Sequence, residues 1–204
     1  MPTYSEMLTL HHAALADTSR LVERAARGPL HIATPCDEWD LAALLSHMIG
    51  QNHGFAAALG DGEADVALYA GPEVTPDGVV DAWEASATAL RDASARAQPD
   101  APVHLAEFDT QVSATLALGM QLLDTAVHAW DVATALGTTY RPDDATVAFV
   151  LENAGAIAAR PGGTPGVFAP PLSGTGSDPW TDALRLLGRD PQSGLLGRDP
   201  RPAG

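Results

Sequence analysis

Lysine is absent from this chain, and that absence sets its electrostatic character. Across 204 residues, 26 acidic side chains face 11 basic ones, every one of them arginine, for a formal charge of −15. A surface of that sign repels nucleic acid and anionic lipid, so neither is expected as a partner. Cysteine is nearly absent too. Cys36 stands alone, which rules out an internal disulfide, and the opening Met1-Pro2-Thr3-Tyr4-Ser5-Glu6 has neither the basic start nor the apolar core of a secretory signal. The cytoplasm is the expected location. No apolar run approaches the roughly 20 residues that cross a bilayer, so no membrane association is expected. Aromatic residues make up only 5% while alanine is abundant, which suits close-packed helices better than a sandwich or barrel. The expected fold class is all-α.

Hydrophobic residues, at 46%, suffice for one substantial core. Leu8, Leu15, Leu21 and Val22 recur at near-helical spacing between about Tyr4 and Ala26 and predict a first helix, ended by Arg27-Gly28-Pro29. Thr34 to Trp39 reads as a turn, with Asp37 placed to cap a second helix running to about Leu59. On that helix Leu41, Leu45, Met48, Phe55 and Leu59 form a stripe, with His47 beside it. Gly50, Gln51 and Gly54 lie at neighbouring turns, and their small size is expected to leave space above the imidazole.

Residues 60–76 read as a loop, and Val79, Val80, Trp83 and Leu90 mark a third helix over about Asp77 to Ala97. After an irregular or briefly extended stretch at 98–109 comes a fourth helix, about Gln111 to Leu136, apolar round most of its circumference and therefore expected to be central. Gly137 stops it. A fifth helix follows from Asp143 or Asp144 to about Ala159, and a last short one spans about Asp178 to Leu187 with Trp180 and Leu184 on its packed face. The expected division is a helical bundle at 1–160 and a Pro/Gly-rich C-terminal extension at 161–204 containing that short helix. The extension ends in a direct repeat, Leu186 to Gly194 and then Leu195 to Pro200, whose second copy is expected to be frayed and dispensable.

Asp124, His128 and Asp131 project within about 60° of one another on the fourth helix, at roughly 100° per residue. A polar strip thus lies along an apolar helix, where charged groups are costly unless paired or metal-bound. Asp124 and His128, four apart, can form a simple ion pair or supply two ligands to a metal. His47, in mid-helix, is the best third ligand, and three protein ligands leave a coordination position open. His11 and His12 are adjacent, so at most one faces the core, while His31, His53 and His104 fall at loops or helix flanks. Cys36, next to a helix start, could act as a nucleophile, but no histidine is placed near it in sequence to suggest a catalytic pair, and a buried structural thiol is the favoured reading. Trp39 and Trp130 read as packing residues of the bundle, and either could line a pocket mouth.

Four segments carry a family resemblance. Thr34-Pro35-Cys36-Asp37-Glu38-Trp39, Leu44-Leu45-Ser46-His47, Val127-His128-Ala129-Trp130-Asp131-Val132-Ala133 and Leu187-Gly188-Arg189-Asp190-Pro191 resemble the actinobacterial metal-binding proteins related to mycothiol-dependent maleylpyruvate isomerase. These belong to the DinB-like superfamily. The resemblance implies a four-helix bundle, here with an additional helix and an irregular C-terminal tail. It also implies a divalent metal, zinc first and nickel or another first-row metal as alternatives, held by His47, Asp124 and His128. The isomerase-like members carry glutamate where this chain has Asp124. Asp131 matches the family's Trp-Asp position and is expected in the second layer, orienting an imidazole N–H.

Mycothiol is the implied cofactor, and a small-molecule thiol and its substrate are the implied partners. The isomerase has a larger C-terminal domain, whereas only about 45 residues follow the last long helix here. Three functions are therefore carried forward: a metal-dependent thiol S-transferase or isomerase, a non-catalytic metal-binding or stress-related bundle, and a biosynthetic enzyme using the same cavity. An exposed apolar face on the first or third helix could support a homodimer.

Overall fold

Local capping decides where the helices begin. The computed structural model describes residues 2–36, 39–160, 167–173, 176 and 178–192. Thr3 caps α1 (Tyr4–Ala25) through a reciprocal box with Glu6, and Asp40 caps α2 (Leu41–Asp61) by accepting from the Ala43 N–H at 2.8 Å. The cap of α2 is thus Asp40; Asp37, the residue expected in that role, lies outside the described residues. The expected loop at 60–76 contains a 3-10 helix, Val66–Ala70, before α3 (Val79–Arg96).

The stretch after α3 forms a small antiparallel hairpin. Its strands are β1 (Pro102–Leu105) and β2 (Thr110–Ser113), joined by a 3-10 turn at Ala106–Phe108, with Val103 paired to Val112. The strand β2 takes the residues expected to open the fourth helix, so α4 begins later, at Ala114, with Ser113 as its cap, and runs to Ala135. The β-branched Thr110 and Val112 favour extended backbone there. Asp143 caps α5 (Asp144–Ala158), and Asp178 caps the short α6 (Pro179–Leu186), whose first residue is the proline that suits that position.

Among the four long helices, α1 and α2 each pack on both α3 and α4, which makes a closed ring of neighbours. The most apolar helix, α4, is central as expected: it also receives α5, and Leu118, Leu122, Ala126, Val127 and Val132 are fully buried. Trp180, Ala183, Leu184 and Leu187 of the C-terminal segment enter the same core cluster as Met7, Leu122 and Phe149. No helix among the described residues is long and apolar enough to cross a membrane.

A buried polar seam fixes how α2 and α4 meet. Gln121 donates to Asn52 at 3.0 Å, and Asn52 donates to Ser86 of α3 at 3.0 Å. Pairing Asn52 with Gln121 and His47 with Asp124 means that position rises along one helix as it falls along the other, so α2 and α4 run antiparallel. Buried amides left unpaired are costly, so the seam penalises any slip of register that would separate His47 from Asp124.

The small residues on α2 serve a different purpose from the one expected. A Cβ at Gly50 would stand 2.3 Å from the Tyr69 carbonyl oxygen, and one at Gly54 would stand 2.4 Å from the Tyr69 ring. They make room for the 3-10 segment rather than for a ligand over His47. Gly54→Ala is expected to displace Tyr69 and destabilise the fold by about 1–3 kcal/mol, read from urea unfolding. An unchanged midpoint would contradict this packing.

His11 is the one of the adjacent pair that faces the core. It is fully buried on α1, and neither ring nitrogen has a hydrogen-bond partner among the described residues. Burial, then the charges of His12 and Arg91, push its pKa down to about 3. The unfolded imidazole takes a proton near 6.5 while the native one does not, so this stability is complete above that pH and declines as pH falls toward 3. Between pH 6.5 and 5 the loss is about 2 kcal/mol. His11→Leu should remove that dependence from unfolding curves at the two pH values; an identical slope in the variant would sink the assignment.

Candidate metal centre

Two helices and one loop deliver the candidate residues to one place. His47 comes from the middle of α2, while Asp124, His128 and Asp131 share the inward strip of α4. The Asp124 Oδ1 lies 3.4 Å from His128 Nε2 and 3.9 Å from His47 Nε2. His47, Asp124 and His128 thus each present a ligand atom, all within 4.8 Å of one another. The Asp124 carboxylate sits between two imidazoles at distances beyond an ordinary hydrogen bond to either. Two ligands about 2.0–2.1 Å from one ion at a tetrahedral angle stand roughly 3.4 Å apart, so the spacing is close to that of a shared ion.

Burial differs across the trio. The His128 side chain is 7% exposed, whereas His47 and Asp124 are 23% and 25% exposed, so one side faces the interior and the other is open to solvent. Burial alone would raise the Asp124 carboxyl, but the facing His128 and His47 hold it well below the usual carboxylate range. For His128, burial would lower the pKa, yet Asp124, Asp131 and Cys36 raise it well above the ordinary imidazole value.

Asp131 lies behind His128. It is fully buried, and its Oδ2 stands 2.9 Å from His128 Nδ1. In the neutral ring that a metal would require, the proton stays on Nδ1, donated to this carboxylate, and Nε2 is the free donor atom on the side facing Asp124. Burial would raise the Asp131 carboxyl, but Arg189 and His128 hold it below its ordinary value.

Cys36 and Arg189 join the cluster although neither is among the expected site residues, and Trp39, expected to pack the bundle or line a pocket mouth, borders it. Cys36 is half-buried rather than enclosed, and its thiol donates to Asp131 Oδ2 at 3.2 Å with His128 Nδ1 3.9 Å away. The histidine partner that the local sequence lacked arrives from α4. Arg189 is nearly buried; its Nη2 donates to Asp131 Oδ2 at 3.1 Å and lies 3.5 Å from the Cys36 sulfur. Trp39 stacks on His47 with ring centroids 4.5 Å apart and an interplanar angle of 34°. The turn that supplies Cys36 and Trp39 is held by Thr34, whose hydroxyl donates to the Trp39 carbonyl at 2.7 Å and accepts from the Cys36 N–H at 3.1 Å. A Thr-Pro-Cys turn directly before a helix cap was the one local hint.

Cys36, His128 and Asp131 form a second group close enough to hold an ion. There the Arg189 guanidinium already supplies the positive charge, touching both the thiol and the carboxylate. The remaining histidines stand apart: His31 pairs with Asp40, His104 with Asp109, and His53 is on α2.

These features define a helical protein whose histidine–carboxylate cluster opens to solvent. Residues 11–133 match the family model described as the mycothiol maleylpyruvate isomerase N-terminal domain, and the chain belongs to that family. Two uncharacterized proteins of Mycobacterium tuberculosis, from strains CDC 1551 / Oshkosh and ATCC 25618 / H37Rv, are each 28% identical over 137 residues, 64% of this chain and 67% of theirs. Crystal structures of the mycothiol-dependent maleylpyruvate isomerase and of a histidine-to-alanine mutant of it share the fold. Their TM-scores are 0.59 and 0.61, at 18% identity, over 75% of this chain and 70% of theirs.

Proposed function

We propose that this chain binds one divalent metal through His47, Asp124 and His128, and uses it with a low-molecular-weight thiol in an S-transferase or isomerase reaction. Zinc is the first choice of metal, with nickel or another first-row ion as the alternative, and mycothiol is the thiol the family suggests. The observation that carries the reading is the Asp124 carboxylate suspended between two imidazole Nε2 atoms, with His128 backed by a buried carboxylate. Imidazole and carboxylate donors at this spacing suit such ions.

When bound, a divalent ion there supplies positive charge that stabilises a thiolate near neutral pH and polarises a carbonyl oxygen. The protein's own groups do the positioning. Asp131 fixes the tautomer of His128, and Trp39 limits rotation of the His47 ring. The partial exposure of His47 and Asp124 leaves a direction from which a thiol can approach.

A thiol-transfer assay with mycothiol on the metal-loaded protein tests this function. Wild type is expected to be active, and folded His47→Ala to be inactive. Full activity in that variant would overturn the mechanism. A second reading, a metal-binding bundle without catalysis, uses the same three residues. Tight metal binding without heat of thiol binding would favour it.

A further inference from the structure

The C-terminal Leu187-Gly188-Arg189-Asp190 segment lies outside residues 11–133, the span of the family model, yet it reaches the cluster. Gly188 ends α6 with a left-handed turn at φ 77°. Its N–H bonds to the Arg185 carbonyl and the Arg189 N–H to the Leu184 carbonyl, the paired bonds of a Schellman motif. A Cβ at Gly188 would stand 2.6 Å from that of Ala169, so glycine is required on two grounds. Leu187 is fully buried beside the turn, and Asp190 pairs with Arg185 at 3.2 Å. The chain is thereby turned so that Arg189 runs inward.

Once inside, Arg189 makes several contacts at once. Its Nε and Nη2 lie 3.4 and 3.1 Å from the two Asp131 oxygens, and its Nη1 donates to the Leu187 carbonyl at 3.0 Å. The guanidinium carbon sits 5.6 Å from the centre of the Phe168 ring. This fork engages both oxygens of Asp131, so the carboxylate cannot swivel, and Asp131 in turn holds His128 Nδ1 at 2.9 Å.

We infer that Arg189 is a positioning residue: the C-terminal turn clasps Asp131 from behind and thereby sets the orientation of His128 toward the open cluster. The inference rests on the metal reading only where metal affinity is measured. The orientation of His128 belongs to the metal-free protein as well. The tail after α5 is then part of the site, through Arg189 of its first Leu-Gly-Arg-Asp copy. The second copy, at 195–200, lies outside the described residues.

The test combines two readouts on the full chain: zinc affinity by competition with a chromophoric chelator, and the ring-nitrogen chemical shifts of His128 without metal. R189M is expected to weaken zinc about 10–100-fold, as loss of an outer partner does, and to move the His128 shifts. D131N should do the same, and the D131N/R189M double variant should bind zinc within about threefold of D131N alone, because both changes act on one path. The double variant contains no unpaired buried charge, so it keeps the test decisive if R189M does not fold. Unchanged affinity and His128 shifts in R189M, or losses that multiply in the double variant, would overturn the inference. Wild type that binds no zinc would instead defeat the metal reading, and the His128 shifts would still decide the role of Arg189.

Discussion

His128→Ala is expected to reduce zinc binding by at least a hundredfold, leaving the purified protein with far less than one metal per chain. Structural zinc sites gain about 10–16 kcal/mol from roughly four ligands, so one ligand is worth about 3 kcal/mol or more. The imidazole removed is the most buried of the three proposed ligands and, among the described residues, the one anchored by a second carboxylate. His47→Ala should lose a similar amount but perturb the fold less, because that ring is partly exposed. Elemental analysis with a chelator competition titration reads the effect, and circular dichroism checks folding. Full metal content in a folded His128→Ala protein would mean that the ion, if any, lies elsewhere.

The second large effect concerns stability rather than binding. Asp131→Leu leaves the Arg189 guanidinium nearly buried without its carboxylate, and breaking one half of a buried pair costs about 3–5 kcal/mol. For a chain of this length that is a fall in Tm of about 10 °C. Adding Arg189→Met removes the stranded charge and should recover most of the loss, since apolar replacements of a buried pair are often near neutral. Thermal unfolding of the single and double variants separates the cases. Equal stability of the two would show that Arg189 finds other compensation, contrary to the contacts described.

Helical periodicity was strong enough in the sequence to place α1, α3 and α5 to within a few residues, and the apolar circumference of α4 marked it as central. Its beginning was misjudged because Gln111, Val112 and Ser113 continue the apolar-polar mixture, while the pairing that makes them a strand comes from Pro102–Leu105. Gly50 and Gly54 were visible as small residues, but what fills the space they leave is Tyr69, from a segment with no helical pattern. The trio of His47, Asp124 and His128 was accessible because two members share one helix at a favourable spacing and the third sits in mid-helix. Geometry places them together; their role as ligands is the proposal.

The layer behind His128 was harder to see for a physical reason. Cys36 and Asp131 are 95 positions apart, and Arg189 is 58 from Asp131 and 153 from Cys36. No local pattern encodes such contacts. For Arg189 the sign was the Gly-Arg-Asp turn, and its meaning depends on α6 packing into the core with Trp180 and Leu184. The same packing explains why a C-terminal stretch rich in proline and glycine still delivers one side chain with precision.

The most direct test of the metal centre is a crystal structure of the zinc-loaded protein with anomalous data collected above and below the zinc edge. One anomalous peak is expected within about 2.0–2.2 Å of His47 Nε2, His128 Nε2 and a carboxylate oxygen of Asp124, with Asp131 and Arg189 in place behind His128. A peak instead on Cys36, His128 Nδ1 and Asp131 with Arg189 displaced, or no peak at the trio, would contradict it.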